Sequence, residues 1–372
     1  MRPPKDHKRS IRSVILTLIA LIAGAAIIFK AWELVAVLEN KLVALETNVG
    51  ADQPEQVCIE PAQRKSWTTL SREEKAEYIR AVKCLAERPS YLNPNSTVYD
   101  DFSYIHITMG NAMHMGSGNL PWHRLHLHLY EQALRSECGY GGLQVYWAWE
   151  EESEDPIHSD FFDPETGFGG NGNLTGDHLS PEDSMTRIDK NRCLVDGPFK
   201  DLQPQWYARL PDPKSVDPYV DPVFDPHCIT RSFTEAFKDP KKHAKEFPPI
   251  PFGPNAVSKL LAIEDYSEFN LAAEAMHAWL PVSVGGDYMA LTAPNDPTFY
   301  PHLTNIDRMW WKWQAKNGKK KGMAYDGATY RLSEVNASLD DIIPFPAFIG
   351  LDRPMRIRDM MDTESDYLCY TY

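Results

Sequence analysis

No Cys-x-x-Cys pair occurs in the chain, which argues against a thiolate zinc site or a thioredoxin-type redox motif. A basic excess is also missing. The 38 lysines and arginines face 52 aspartates and glutamates, for a formal charge of −14. That balance argues against nucleic-acid binding through a broad basic face. Internal repeats and low-complexity tracts are absent as well. What remains is 372 residues, 43% hydrophobic and 24% charged, a globular composition long enough for one large or two ordinary domains. Of the 29 prolines, 11 cluster between Pro204 and Pro254, which predicts long ordered loops there. Six cysteines (Cys58, Cys84, Cys138, Cys193, Cys228, Cys369) suit up to three disulfides in any of 15 pairings. Buried free thiols are the other reading.

The N-terminus carries Arg2, Lys5, Lys8, Arg9 and Arg12 ahead of an uncharged apolar run, Ser13–Phe29. The run is near the lower length limit for a membrane-spanning helix. Ala23-Gly24-Ala25 has the form of a signal-peptide cleavage site, but it lies inside the run, which favours an uncleaved anchor. We therefore expect a cytosolic basic segment over 1–12, a transmembrane helix over 13–30 and a stalk helix with linker over 31–57. The domain over 58–372 is then lumenal. Sequons at Asn95, Asn173 and Asn336 fit a lumenal glycoprotein. Leu38, Leu42, Leu45 and Val49 follow heptad spacing. They read either as a short dimerising stalk, giving a homodimer, or as a helix resting on the domain.

Within the domain, Thr68–Leu85 is amphipathic and starts at a capping box, Ser71 to Glu74. Asp101–Met113 reads as a helix, and Gly116–Asn119 breaks it. The next helix runs from Pro121 to Cys138 and stops at Gly139. Residues 150–254 show little periodicity, and loops of that length often shape a functional pocket. Ile263–Leu280 returns to helix. Asp296-Pro297 then caps another, which runs through Trp313 to Asn317-Gly318.

His106, His114 and His123 are spaced as metal ligands on two antiparallel helices would be. Neutral imidazole is the usual ligand for zinc and copper. With 12 histidines in the chain, a chance cluster is the competing reading. His126 and His128 fall off the buried stripe and read as surface or supporting groups.

The order of several long motifs resembles fungal tyrosinases. Tyr99-Asp100-Asp101-Phe102, His106, His114, Leu120-Pro121-Trp122-His123-Arg124 and Tyr130-Glu131-x-Ala133-Leu134-Arg135 are similar to the first copper-binding half. Glu137-Cys138-Gly139-Tyr140 and Tyr146-Trp147-x-Trp149 extend that half. Val284-Gly285-Gly286-Asp287, Pro294-Asn295-Asp296-Pro297-x-Phe299 and Asn305-x-Asp307-Arg308-x-Trp310 are similar to the second. The resemblance covers about Cys58 to Tyr372. It implies a mainly α fold, a four-helix bundle metal core wrapped by long loops.

The second half departs from that pattern. His277 matches its first ligand, but Pro281 and Leu303 occupy the other two ligand positions, with His302 beside Leu303. Ala112 replaces the cysteine that many fungal members link to a ligand, and Val282 replaces an asparagine associated with monophenol activity. One intact three-histidine site with an open position has the geometry of catalytic zinc. The resemblance is greatest to the cyclopenase branch, whose members contract cyclopenin-type benzodiazepinedione epoxides to viridicatin-type quinolones with loss of methyl isocyanate. It implies zinc on His106, His114 and His123, with copper as the alternative. Glu274, His277 and His302 become catalytic candidates for proton transfer. Phe299, Tyr300, Trp310 and Trp311 would either stack on an aromatic alkaloid substrate or simply fill the core. A binuclear copper phenol oxidase and a non-catalytic lumenal interaction protein are the competing functions.

Overall fold

The computed structural model describes residues 58–173, 192–208, 220–243, 252–316, 322–330, 333–346, 351 and 353–372. The expected anchor and stalk lie outside them. Among the described residues, no helix is long and apolar enough to cross a membrane.

A short strand, β1 (Ala62–Gln63), opens the domain. Helix α1 (Arg72–Leu85) starts at the expected capping box: Glu74 N–H donates to Ser71 Oγ and Ser71 N–H to the Glu74 carboxylate. Helix α2 (Val98–Met113) starts a turn earlier than its apolar pattern suggested, because Thr97 Oγ1 caps it. Helix α3 (Asn119–Cys138) is buried along almost its whole length. Gly139, at φ +60°, ends it by turning its amide back to the Arg135 carbonyl, a conformation that favours glycine. Among the described residues between 150 and 254 only short pieces are regular: 3-10 turns at Pro156–His158 and Asp160–Phe162, β2 (Trp206–Tyr207), β3 (Val223–Phe224) and one turn of helix, α4 (Glu235–Lys238).

Helix α5 (Pro254–Ala262) leads into α6 (Tyr266–Val284), which runs through Pro281. Proline has no N–H to give the His277 carbonyl one turn back. The helix nevertheless recloses, Gly285 N–H bonding to the Pro281 carbonyl at 2.8 Å. After two 3-10 turns, Gly286–Tyr288 and Ala290–Asn295, comes α7 (Phe299–Lys316). Asp296 caps it, accepting from the Thr298 amide and hydroxyl. The last strand, β4 (Tyr370–Thr371), pairs in parallel with β1, and β2 pairs antiparallel with β3.

Helix α3 packs against α1, α2, α6 and α7, so the bundle formed by α2, α3, α6 and α7 is built around it. The loops wrap this bundle and tie to it through charge. Glu150 accepts from Asn305 and Arg308 on α7, and Arg231 pairs with the capping Asp296 with both side chains fully buried. At the middle of α7, Asp307 accepts from Arg124 Nε at 2.6 Å and from the hydroxyls of Tyr370 and Tyr372. All six cysteines are paired, as Cys58–Cys369, Cys84–Cys138 and Cys193–Cys228, so the free-thiol reading is excluded. The sequon asparagines Asn95, Asn173 and Asn336 are all exposed.

Candidate metal centre

His106 sits in the middle of α2, His114 caps its C-terminus and His123 lies in the second turn of α3. The tight turn Met115–Gly118 reverses the chain between them, so three side chains from two helices meet. One ligand atom from each lies within 4.8 Å of the other two, and the Nε2 atoms of His106 and His123 are 3.5 Å apart. Among the described residues no other group of three metal-ligating side chains converges this way.

Each ring is fixed from behind. The Nδ1 atoms of His106, His114 and His123 lie 2.8 Å from the carbonyls of Leu291, Gly110 and Asn119. A carbonyl only accepts, so each Nδ1 carries the proton and each Nε2 keeps a free lone pair. Burial, with the neighbouring imidazoles, holds His106 and His123 well below the ordinary histidine pKa. Their protonation therefore does not compete with a cation near neutral pH. Donor set, tautomers and convergence all fit a divalent ion with a position left open. His106 and His123 are buried, and His114 is partly exposed. The site therefore opens on the His114 side.

The three other candidates lie against this cluster. The His277 ring centroid is 5.6 Å from that of His123 and 6.3 Å from that of His114. Its Nδ1 lies 2.8 Å from His302 Nε2, so the two second-half histidines hydrogen-bond to each other. Burial holds His277 well below its ordinary pKa and takes His302 down to about 3. Glu274 is buried and accepts the Met115 amide on both carboxylate oxygens, at 2.7 and 2.9 Å. Burial raises its pKa, against the opposing pull of His114 and the Met115 amide. Pro281 is buried in α6, and Leu303 is 2% exposed in the core. Neither offers a ligand atom.

One expectation needs correction. His126 and His128 are buried, not surface groups. His126 stacks on Phe102 with ring centroids 5.4 Å apart, and His128 lies 4.6 Å from the Tyr367 ring. Helix α3 is central, so all its faces are covered and the apolar stripe misleads. Among the aromatic candidates, Phe299 alone lines the centre, 5.2 Å from His106 and 6.2 Å from His277. Tyr300 stacks on Tyr130, Trp310 lies under Arg124, and Trp311 is half-buried beside Tyr372.

Sequence reading missed two backbone contributors. The Leu291 carbonyl holds His106, and Met115, at φ +62°, aims its amide at Glu274. Backbone groups leave no residue-type signal, although glycine-rich surroundings (Gly116, Gly118) hinted at a tight reversal.

Residues 96–316 match the common central domain of tyrosinase. The tyrosinase-like protein phomQ1 of Diaporthe leptostromiformis is 35% identical over 337 residues, spanning 89% of this chain and 82% of that protein. Tyrosinase ustQ of Aspergillus flavus is 35% identical over 332 residues, 89% of this chain and 85% of that one. A polyphenol oxidase variant from Thermothelomyces thermophila superposes with a TM-score of 0.65 at 23% identity, over 91% of this chain and 94% of that one. That likeness establishes the mainly helical fold. With a family domain over more than half its length and such relatives over nearly all of it, the chain belongs to the tyrosinase family, in its fungal tyrosinase-like branch.

Proposed function

We propose that this chain is a single-metal member of the family, a zinc enzyme whose reaction is not oxidative. The observation that carries the reading is the fate of the second half-site. His277 Nδ1 is engaged by His302 at 2.8 Å, and the positions of the other two ligands are Pro281 and Leu303. Binuclear dioxygen chemistry needs a second ion, and the residues for one are missing. His106, His114 and His123 would hold the zinc through Nε2. Bound there, it would supply Lewis-acid polarisation of a carbonyl or epoxide oxygen.

The chain's own residues account for the rest. His302 orients His277, leaving His277 Nε2 to take or return a proton. Glu274 Oε1 and Oε2, raised in pKa and fixed by the Met115 amide, form a second proton-holding group beside His114. Phe299 walls the centre and keeps water from the space between His106 and His277. These groups suit the ring contraction of a cyclopenin-type benzodiazepinedione epoxide to a viridicatin-type quinolone. The atoms of methyl isocyanate leave and no electrons are exchanged, so no oxidant is required. An aromatic alkaloid is thus the substrate class. The three disulfides and three exposed sequons support a lumenal domain on a single-pass membrane anchor.

Copper is the second reading. The family typically uses it, neutral imidazoles suit it as well as zinc, and of the relatives above one is named a tyrosinase and the other tyrosinase-like. Metal analysis of the purified full chain separates the two. One zinc per chain, lost in His114→Ala, together with quinolone formation from the epoxide under anaerobic conditions, is the expected result. Two coppers per chain with catechol oxidation would overturn the proposal, as would a chain that holds no metal.

A further inference from the structure

Helix α6 buries one side, carrying Asn270, Glu274 and His277, and exposes the other. The exposed residues between positions 271 and 282 are Leu271, Ala275, Ala278, Trp279 and Val282. None is polar or charged. Leu271, Trp279 and Val282 are 48%, 38% and 46% exposed, on a chain whose net charge is −14. An apolar exposed strip of this kind, unrelieved over three turns of helix, marks an interaction surface.

The same helix is tied to the turn beside the metal centre. Glu274, between its first turns, holds the amide of Met115, which follows the one partly exposed histidine of the cluster. Met115 is itself 55% exposed. Asn270 Nδ2 donates to the Gly116 carbonyl, and Gly116 lies directly against the backbone of Tyr330, a further exposed aromatic residue. The helix that carries the apolar strip therefore also holds the turn beside His114.

We infer that this surface, Met115 with the Leu271–Val282 face of α6, rests on a lipid bilayer and takes apolar substrate from it. The chain itself argues for lipid as the occupant. It carries an uncharged run, Ser13–Phe29, that ends 28 residues before Cys58. A connection of that length spans roughly 30 Å if flexible and roughly 40 Å if helical, so the domain stays within reach of any membrane the run enters. A face without charges costs nothing to desolvate and gains apolar burial. Trp279 is the residue type favoured at the membrane–water boundary. The inference rests on the anchor reading of residues 13–30 and not on which metal the centre holds.

All native cysteines are paired and none is free, so Ala275→Cys creates a single labelling site in the full chain. Ala278→Cys serves as a second, and Glu73→Cys on α1 as the reference. The bimane-labelled proteins are reconstituted in phosphatidylcholine vesicles containing nitroxide-labelled acyl chains. At 275 and 278 we expect at least twofold stronger quenching by the nitroxide lipid than at 73, and at least twofold weaker quenching by aqueous iodide. The added pair Leu271→Glu and Trp279→Glu should abolish both differences while the protein still floats with the vesicles. Equal quenching at all three positions would overturn the inference. So would iodide protection that requires no vesicles and grows with protein concentration, which would assign the face to a second copy of the chain. A full chain that does not float with vesicles would overturn it too, and zinc content measured on the same sample would leave the metal reading standing.

Discussion

His277 Nδ1 lies 2.8 Å from His302 Nε2, with the two rings within 12° of coplanar. The only two histidines of the second half-site are thus spent on each other. Among the described residues, His302 has no further partner for its buried Nδ1.

Restoring the missing ligands should restore a second ion. Position 281 lies one turn beyond His277 on α6, and position 303 follows His302 on α7. The double variant Pro281→His with Leu303→His should bind a second metal equivalent per chain, and each single variant should stay at one. Metal-to-protein ratios by mass spectrometry check this. A second equivalent in either single variant would show that the His277–His302 pair already suffices.

Gly110 couples two ligands. Its carbonyl holds His114 Nδ1, and a Cβ at this position would lie 2.2 Å from Leu291 Cδ2, in the residue whose carbonyl holds His106. Gly110→Ala should therefore overpack the site, at about 1–3 kcal/mol of stability. It should also weaken metal binding roughly 10–100-fold, the usual effect of disturbing groups that orient ligands. Urea unfolding and competition with a chelator measure the two effects. A change in stability without loss of affinity would mean that Leu291 adapts without moving its carbonyl.

A buried ion pair gives folding a defined pH dependence. Burial opposes the charge on His227, but Asp287 at 2.9 Å outweighs it and raises the histidine above its ordinary pKa of 6.5. Asp287, despite its own burial, is held below 3.8 by His227. Stabilisation from the raised histidine is complete below about pH 6.5 and is lost as pH rises through the folded-state value. Stabilisation from the lowered carboxylate is present above about pH 3.8 and is lost on acidification. The pair thus contributes most between those limits. His227→Gln should cost more stability at pH 5.5 than at pH 8.5 in urea titrations. An equal cost at both would mean that His227 stays neutral.

The Cys84–Cys138 disulfide ties the end of α1 to the end of α3 across 54 residues of sequence. Replacing both cysteines by serine should cost roughly 4 kcal/mol by the loop-entropy relation. Chemical denaturation with the other disulfides intact tests it. A loss below about 1 kcal/mol would mean that packing alone holds the two helices.

Much of the fold was legible in the chain because it depends on local chemistry. Ser71 and Glu74 mark the start of one helix, Gly139 marks the end of another, and apolar periodicity gives their type. The metal ligands could be read because histidines on two adjoining helices are separated by a short turn. The misreading of His126 and His128 has the opposite cause. A helix covered on every side carries no reliable stripe, so burial of a polar residue there depends on distant segments such as Phe102 and Tyr367.

The sequence by itself determined that the second half-site lacks ligands, since no conformation makes proline or leucine bind an ion. It likewise determined the types of the helices and the family motifs. Only the tertiary structure decided the tautomers of the three ligands, because they are set by the carbonyls of Leu291, Gly110 and Asn119, and backbone oxygens are the same in every residue. It also decided the pairing of the cysteines and the engagement of His277 by His302. Both join residues far apart in the chain, and only close packing around α3 brings them within bonding distance.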